Sequence, residues 1–293
     1  MARLLRIRQV AAIVPDLEPA IDRLHALFDL EPSTREELPQ YGLTNAVLPL
    51  GDQFLELLQP LDDASAGARY LAKRGPGLYM LIFEGEDGLR AQDDADALNI
   101  PVVATEDNER YTSIHFHPKA MANVLVSVDT SKIENDWPAA GPNWRDFIHS
   151  DIVTGLHVFR IAGSDTDAME KPFADLFGLH TIERAPRGDT HVARARVGHS
   201  GTYIDFVTPT SDRAHLAQWI RDHGPGPSCI ELQVRSLDTI TERCDALGIG
   251  YRPRITNEEA GWQALNLDPT GLFGVPVTLV EAHGDANPWE LGA

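Results

Sequence analysis

Two stretches of this chain repeat one another without a gap. The first runs Gln53-Phe54-Leu55-Glu56-Leu57-Leu58-Gln59-Pro60, passes through a helix-like segment, and resumes as Gly75-Pro76-Gly77 and the apolar run Leu78 to Phe83. The second runs Thr202-Tyr203-Ile204-Asp205-Phe206-Val207-Thr208-Pro209, then Gly224-Pro225-Gly226 and the run through Cys229-Ile230-Glu231-Leu232. Pro60 and Pro209 stand 149 positions apart, and so do Gly75 and Gly224. A period of about half the chain is far longer than the roughly 20 to 50 residues of a solenoid unit, so it marks a duplicated domain. Glu56 and Asp205 are the acidic residues at the polar centres of the two copies.

The length of 293 residues is enough for two domains with cores of their own. With 44 acidic against 25 basic residues, the formal charge of -19 opposes binding to nucleic acid or anionic membranes. The basic start, Met1 to Arg8, lacks the apolar core of a signal peptide, and no apolar segment approaches the roughly 18 residues of a membrane span. Two cysteines, Cys229 and Cys244, form no disulfide framework. A reduced, cytoplasmic chain is therefore expected.

In chain order, a β-type run from Arg8 to Val14 meets Pro15-Asp16-Leu17-Glu18, a helix start with acidic residues in its first turn. Leu17, Ile21, Leu24 and Phe28 then form one apolar stripe. Strands follow around 34–38, 44–50 and 54–58, completing a β-α-β-β-β unit. The order recurs through a strand at 79–83, a helix at 87–98 and strands at 101–104, 111–116 and 124–128. Residues 131–150, rich in Pro and Gly, read as a linker whose Trp137 and Trp144 pack down as anchors. The second half repeats the order twice more, with a last set of strands near 251–255, 262–267 and 275–281. The expected fold is α+β, with four tandem β-α-β-β-β modules in two domains, 1–130 and 151–293.

The helix start at Pro15-Asp16-Leu17-Glu18, Leu55-Glu56-Leu57-Leu58-Gln59-Pro60, Gly75-Pro76-Gly77-Leu78 and Phe116-His117-Pro118-Lys119 resemble the vicinal oxygen chelate superfamily. That superfamily includes glyoxalase I, methylmalonyl-CoA epimerase, extradiol dioxygenases and bleomycin-resistance proteins. The resemblance covers nearly the whole chain, and the first half is most similar to methylmalonyl-CoA epimerases. It implies paired modules cupped around a divalent metal, with ligands from the first and last strands of each module. Those positions fall on Gln9, Glu56, Met80 and Ser127 in the first half. In the second half they fall on His157, Asp205, Cys229 and Thr278, with His157 one residue off the ungapped register. Met80 and Ser127 are poor ligands, so the chain departs from the family where its chemistry resides. His157, Asp205 and Cys229 remain the candidate metal set, and Gln9, Met80, Ser127, Asn266 and Thr278 the candidate substrate contacts.

Strand alternation puts His115 and His117 on one face, and the family position of His115 faces the first cup, with Asn266 as its counterpart in the second. Glu56 and His115 are thus the candidate acid–base residues for proton transfer without a metal. The leading expectation is an isomerase, epimerase or lyase acting on a carbonyl, hydroxy-acid or thioester compound. A non-catalytic small-molecule binder of the bleomycin-resistance type is the first alternative, and a metalloenzyme with an unusual ligand set the second. The partner is a small molecule, and no residue argues for an oligomer beyond the homodimer that this architecture allows. Arg69, Lys73 and Arg74 are the one basic cluster that a CoA ester could use.

Overall fold

A computed structural model describes residues 1–283 and Pro288. The first half contains β1 (Leu4–Ile13), α1 (Leu17–Phe28), β2 (Thr34–Leu38), β3 (Leu43–Leu50), β4 (Gln53–Pro60) and α2 (Ala66–Arg74). It continues with β5 (Gly77–Gly85), α3 (Gly88–Ala97), β6 (Val102–Asp107), β7 (Tyr111–Phe116) and β8 (Leu125–Ser131). The second half contains β9 (Val153–Ala162), α4 (Thr166–Phe177), β10 (Thr181–Arg187), β11 (Thr190–Val197), β12 (Thr202–Pro209) and α5 (His215–His223). It ends with β13 (Gly226–Val234), α6 (Leu237–Leu247), β14 (Ile255–Asn257), β15 (Trp262–Asn266) and β16 (Val277–Ala282). The four expected β-α-β-β-β modules are all present.

Each half makes one eight-stranded sheet, and the two orders match strand for strand. They are β2-β3-β4-β1-β5-β8-β7-β6 and β10-β11-β12-β9-β13-β16-β15-β14. The duplication read from sequence is therefore a duplication of topology. Its offset of 149 holds across the first strands: Val14 N donates to Leu58 O, and Gly163 N donates to Val207 O. Two places break it. The β3–β4 turn is Gly51-Asp52, whereas the β11–β12 turn is the longer Gly198-His199-Ser200-Gly201. In the last module of each half the offset becomes 151, so that His115 opposite Ser127 corresponds to Asn266 opposite Thr278.

By contact the chain divides into two compact units that are discontinuous in sequence. One comprises 1–10, 79–138 and 158–228, and the other 11–78, 139–157 and 229–293. In the first unit the Phe177 ring meets Phe83 and Phe116 edge-on at 5.7 and 5.8 Å. In the second, α1 buries Leu17, Ile21, Leu24 and Phe28, the stripe that the sequence pattern requires. Each such side chain contributes about 1.5–3 kcal/mol on leaving water. Asp16 caps α1 by accepting from Glu18 N, and Arg243 of α6 forks onto Asp29 just past its end at 2.7 and 2.9 Å. The Arg243 hydrogen bond outweighs burial and holds the Asp29 carboxyl below its ordinary pKa.

The segment expected as a linker contains short 3-10 turns at Pro138–Ala140 and Trp144–Phe147. Both tryptophans are buried. Trp137 Nε1 donates to Gln9 Oε1 at 2.7 Å within the first unit, and Trp144 meets Phe54 edge-on at 5.1 Å within the second. One strand differs from expectation: β14 begins at Ile255, not at Tyr251, which makes only an isolated bridge to Leu267. Pro253 lacks the amide hydrogen that a ladder needs, so pairing resumes beyond it.

Candidate functional site

In the first unit, β5, β8 and β7 lie side by side and set polar residues in rows. Ile82 pairs with Ser127 and Ser127 with His115, while Glu84 pairs with Asp129 and Asp129 with Ser113. Residues paired across strands share a face, and so do residues two apart along one strand. These six side chains therefore occupy one face, with Met80 and Leu125 in the next row.

His115 is the titratable centre of this face. Its Nε2 lies 2.9 Å from Ser113 Oγ, and Ser113 Oγ donates to Asp129 Oδ1 at 2.7 Å. Burial of the imidazole, opposed by the weaker pull of the Glu106 charge, brings its pKa down to about 4. The ring is neutral at physiological pH. Beside it, Ser127 is fully buried and its Oγ meets no hydrogen-bond partner among the described residues. An unsatisfied buried hydroxyl costs about 1–3 kcal/mol. In the adjoining row Glu84 Oε2 accepts from Arg6 Nε at 2.7 Å and lies 3.5 Å from Arg8 Nη1. Arg8 is itself buried, with its guanidinium 5.3 Å from the Trp137 ring centre.

The second copy is an internal comparison. Its equivalent rows carry Glu231, Thr278 and Asn266, then Gln233, Val280 and Ala264. Thr278 Oγ1 donates to Asn266 Oδ1 at 2.7 Å, and Cys229 Sγ lies 3.6 Å from Thr278 Oγ1. An amide thus stands where the first copy has an imidazole, and Ala264 and Val280 stand where it has Ser113 and Asp129. The serine and carboxylate that adjoin His115 have no counterpart there.

The other expected residues fall as follows. Glu56 is buried in the second unit, where its Oε1 accepts from Asn45 Nδ2 at 2.7 Å. Gln9 uses its side-chain oxygen on Trp137. Met80 is buried. His157 sits at the place of Arg8, not of Gln9, because the offset of 149 needs no insertion in β9. It meets Gln233 Oε1 at 3.2 Å, as Arg8 meets Glu84.

Asp205 is fully buried and gripped by Arg194, whose Nε and Nη2 donate to its two oxygens at 2.6 and 2.8 Å. Arg160 Nε stands 3.6 Å away. Burial works to raise the Asp205 pKa, but the Arg194 hydrogen bonds and the Arg194, Arg160 and Arg187 charges prevail and hold it low. This carboxylate is an ion-pair partner, not an open ligand. Among the described residues no three His, Cys, Asp or Glu side chains come together so as to hold a metal ion. The expectation of a His157, Asp205 and Cys229 centre is corrected accordingly: His157 is bonded to Gln233, Asp205 to arginine, and Cys229 to Ile230 O and Thr278. The donor set does not fit a metal.

Sequence reading passed over Ser113, Asp129, Glu84, Arg194 and Glu231. Ser113 had a signal, standing two residues before His115 on the same strand. The others depend on which strand pairs with which, and at what register.

Residues 8–116 match the family described as the Glyoxalase/Bleomycin resistance protein/Dioxygenase superfamily. That match lies within the first half of the chain. Over its first half it is similar to the ethylmalonyl-CoA/methylmalonyl-CoA epimerase of Cereibacter sphaeroides. The two are 28% identical over 129 residues, which is 42% of this chain and 96% of that one. The human mitochondrial methylmalonyl-CoA epimerase is 29% identical over 128 residues, covering 42% of this chain and 73% of its own. A variant of 4-hydroxymandelate synthase from Streptomyces coelicolor superposes with a TM-score of 0.73 at 14% identity, over 96% of this chain and 94% of the other. That likeness is one of fold, and it spans both halves of the chain. No described helix is long and apolar enough to cross a membrane.

Proposed function

We propose that this protein is an isomerase or lyase that moves a proton at a carbon next to a carbonyl, with His115 as the acid–base group. The observation that carries the reading is the neutral imidazole, hydrogen-bonded on a polar face of the first copy, where the second copy holds the non-titrating amide of Asn266. A neutral imidazole presents a lone pair at working pH, while its lowered pKa makes it a weaker base than an ordinary histidine, so the geometry and not the pKa supports the role. The proton would pass from the substrate carbon to His115, leaving the electron pair delocalised onto the carbonyl oxygen as an enolate. Return of the proton gives an isomer, and loss of a neighbouring group gives a lyase product.

The substrate class follows from the relatives. Epimerases of acyl-CoA substrates are similar to the part of the chain that contains both Glu56 and His115. A small acid or its thioester is therefore the first class to test. Glu56, held by Asn45 in the other unit, is a separate acid–base candidate.

Hydrogen–deuterium exchange at the substrate α-carbon is the direct assay. Methylmalonyl-CoA and simpler acyl thioesters in deuterium oxide, followed by proton NMR, should lose α-proton signal with the wild type. His115→Asn should slow this by about 100-fold or more, the usual share of one general base. Glu56→Gln tests the second carboxylate in the same assay. Tight binding without any exchange would overturn the enzymatic reading in favour of a small-molecule binder.

A further inference from the structure

We infer that Asp129 and Ser113 act as positioning residues that fix His115 in a single tautomer, with the proton on Nε2 and the basic lone pair on Nδ1. The argument counts one hydrogen. Ser113 has a single hydroxyl proton, and at 2.7 Å it lies on the hydrogen bond to Asp129 Oδ1, because an ionised carboxylate only accepts. Ser113 Oγ can then meet His115 Nε2, 2.9 Å away, only as acceptor. A neutral imidazole carries one N–H, so a proton on Nε2 leaves Nδ1 as the base. Direction passes from carboxylate to hydroxyl to ring, and the choice of nitrogen is made two side chains away from it.

The backbone holds this chain in place. Ser113 and His115 are two apart on β7, and Asp129 is the cross-strand partner of Ser113 on β8, so the three side chains share one face. Thr112, between Ser113 and Tyr111, turns to the other side and donates to Asp107 at 2.6 Å. The second copy shows that the fold does not need the arrangement. Ala264 and Val280 fill the two places at the same register, and an amide replaces the ring. The inference rests on the proposed role of His115 for its catalytic meaning, but not for its geometry.

The test separates the two. Long-range proton–nitrogen NMR on protein with labelled histidine reports which ring nitrogen carries the proton, with His115→Asn assigning the signals. The wild type at neutral pH should show His115 solely as the Nε2–H form. In Asp129→Ala and Asp129→Leu, which remove the acceptor, the serine proton is released to turn toward the ring, and signal for the Nδ1–H form should appear. Ser113→Thr keeps the hydroxyl and should restore the wild-type pattern. A mixed or Nδ1–H ring in the wild type, or an unchanged ring in both Asp129 variants, overturns the inference.

Activity is read separately. If His115 is the base, the Asp129 variants should lose exchange rate on the order of tenfold or more in kcat with little change in KM. The correct tautomer without any exchange activity would leave the inference standing and remove the proposed function.

Discussion

His115, half-buried, and Asp205, fully buried, are both ionisable groups drawn away from water, and they meet that cost in opposite ways. The imidazole gives up its charge. Its folded pKa is about 4 against an ordinary value of 6.5, so between those two the unfolded chain binds more protons than the folded one. Stability therefore falls as pH falls through that window, and the group contributes nothing above it. Below the window the cost approaches about 3 kcal/mol. Urea denaturation at pH 7 and pH 4.5 should show His115→Asn losing less stability than the wild type, by about 2 kcal/mol. Asp205 keeps its charge and takes a cation instead. Removing Arg194 alone, as Arg194→Met, should destabilise by about 3–5 kcal/mol because it strands a buried carboxylate. The double variant Arg194→Met with Asp205→Leu should recover most of that loss in the same denaturation experiment. The sequence marked Asp205 and Glu56 as an equivalent acidic pair. Their cross-strand neighbours, Arg194 and Val47, show that they are not.

At the level of elements, the helices and strands were legible because each carries its own period. Leu17, Ile21, Leu24 and Phe28 announce α1, and Gly75 and Gly224 mark the ends of α2 and α5. Register was not legible. Whether Asp129 lies opposite Ser113 or two residues away is set by the β7–β8 connection, and neither strand encodes it alone. For the same reason the longer β11–β12 turn shifts Arg194 into place opposite Asp205, an event outside the ungapped repeat. The duplication also exposes a missing cap. Ser65 caps α2 by accepting from Ala68 N at 3.0 Å, while its counterpart on α5 is Ala214, with nearly the same backbone angles and no side-chain cap. Ala214→Ser should therefore add about 0.5–1 kcal/mol, read as a higher urea midpoint at unchanged slope.

For the molecule as a whole, charge and connectivity set the behaviour. A formal charge of -19 means that compaction works against self-repulsion. Raising sodium chloride from about 10 to 150 mM brings the screening length from about 30 Å to 8 Å, so the urea midpoint should rise over that range. Connectivity has a consequence in time. Ile7 N donates to Thr202 Oγ1 at 3.1 Å, and a β-carbon added at Gly198 would collide with Leu5 O, so the β11–β12 turn docks on the first strand with no room for a side chain. On a ribosome adding about 5–20 residues each second, β1 emerges about 10–40 s before that turn exists. For that interval the first strand to be made has an edge its final partner cannot yet cover, and a nascent chain of this kind is one that chaperones would be expected to meet.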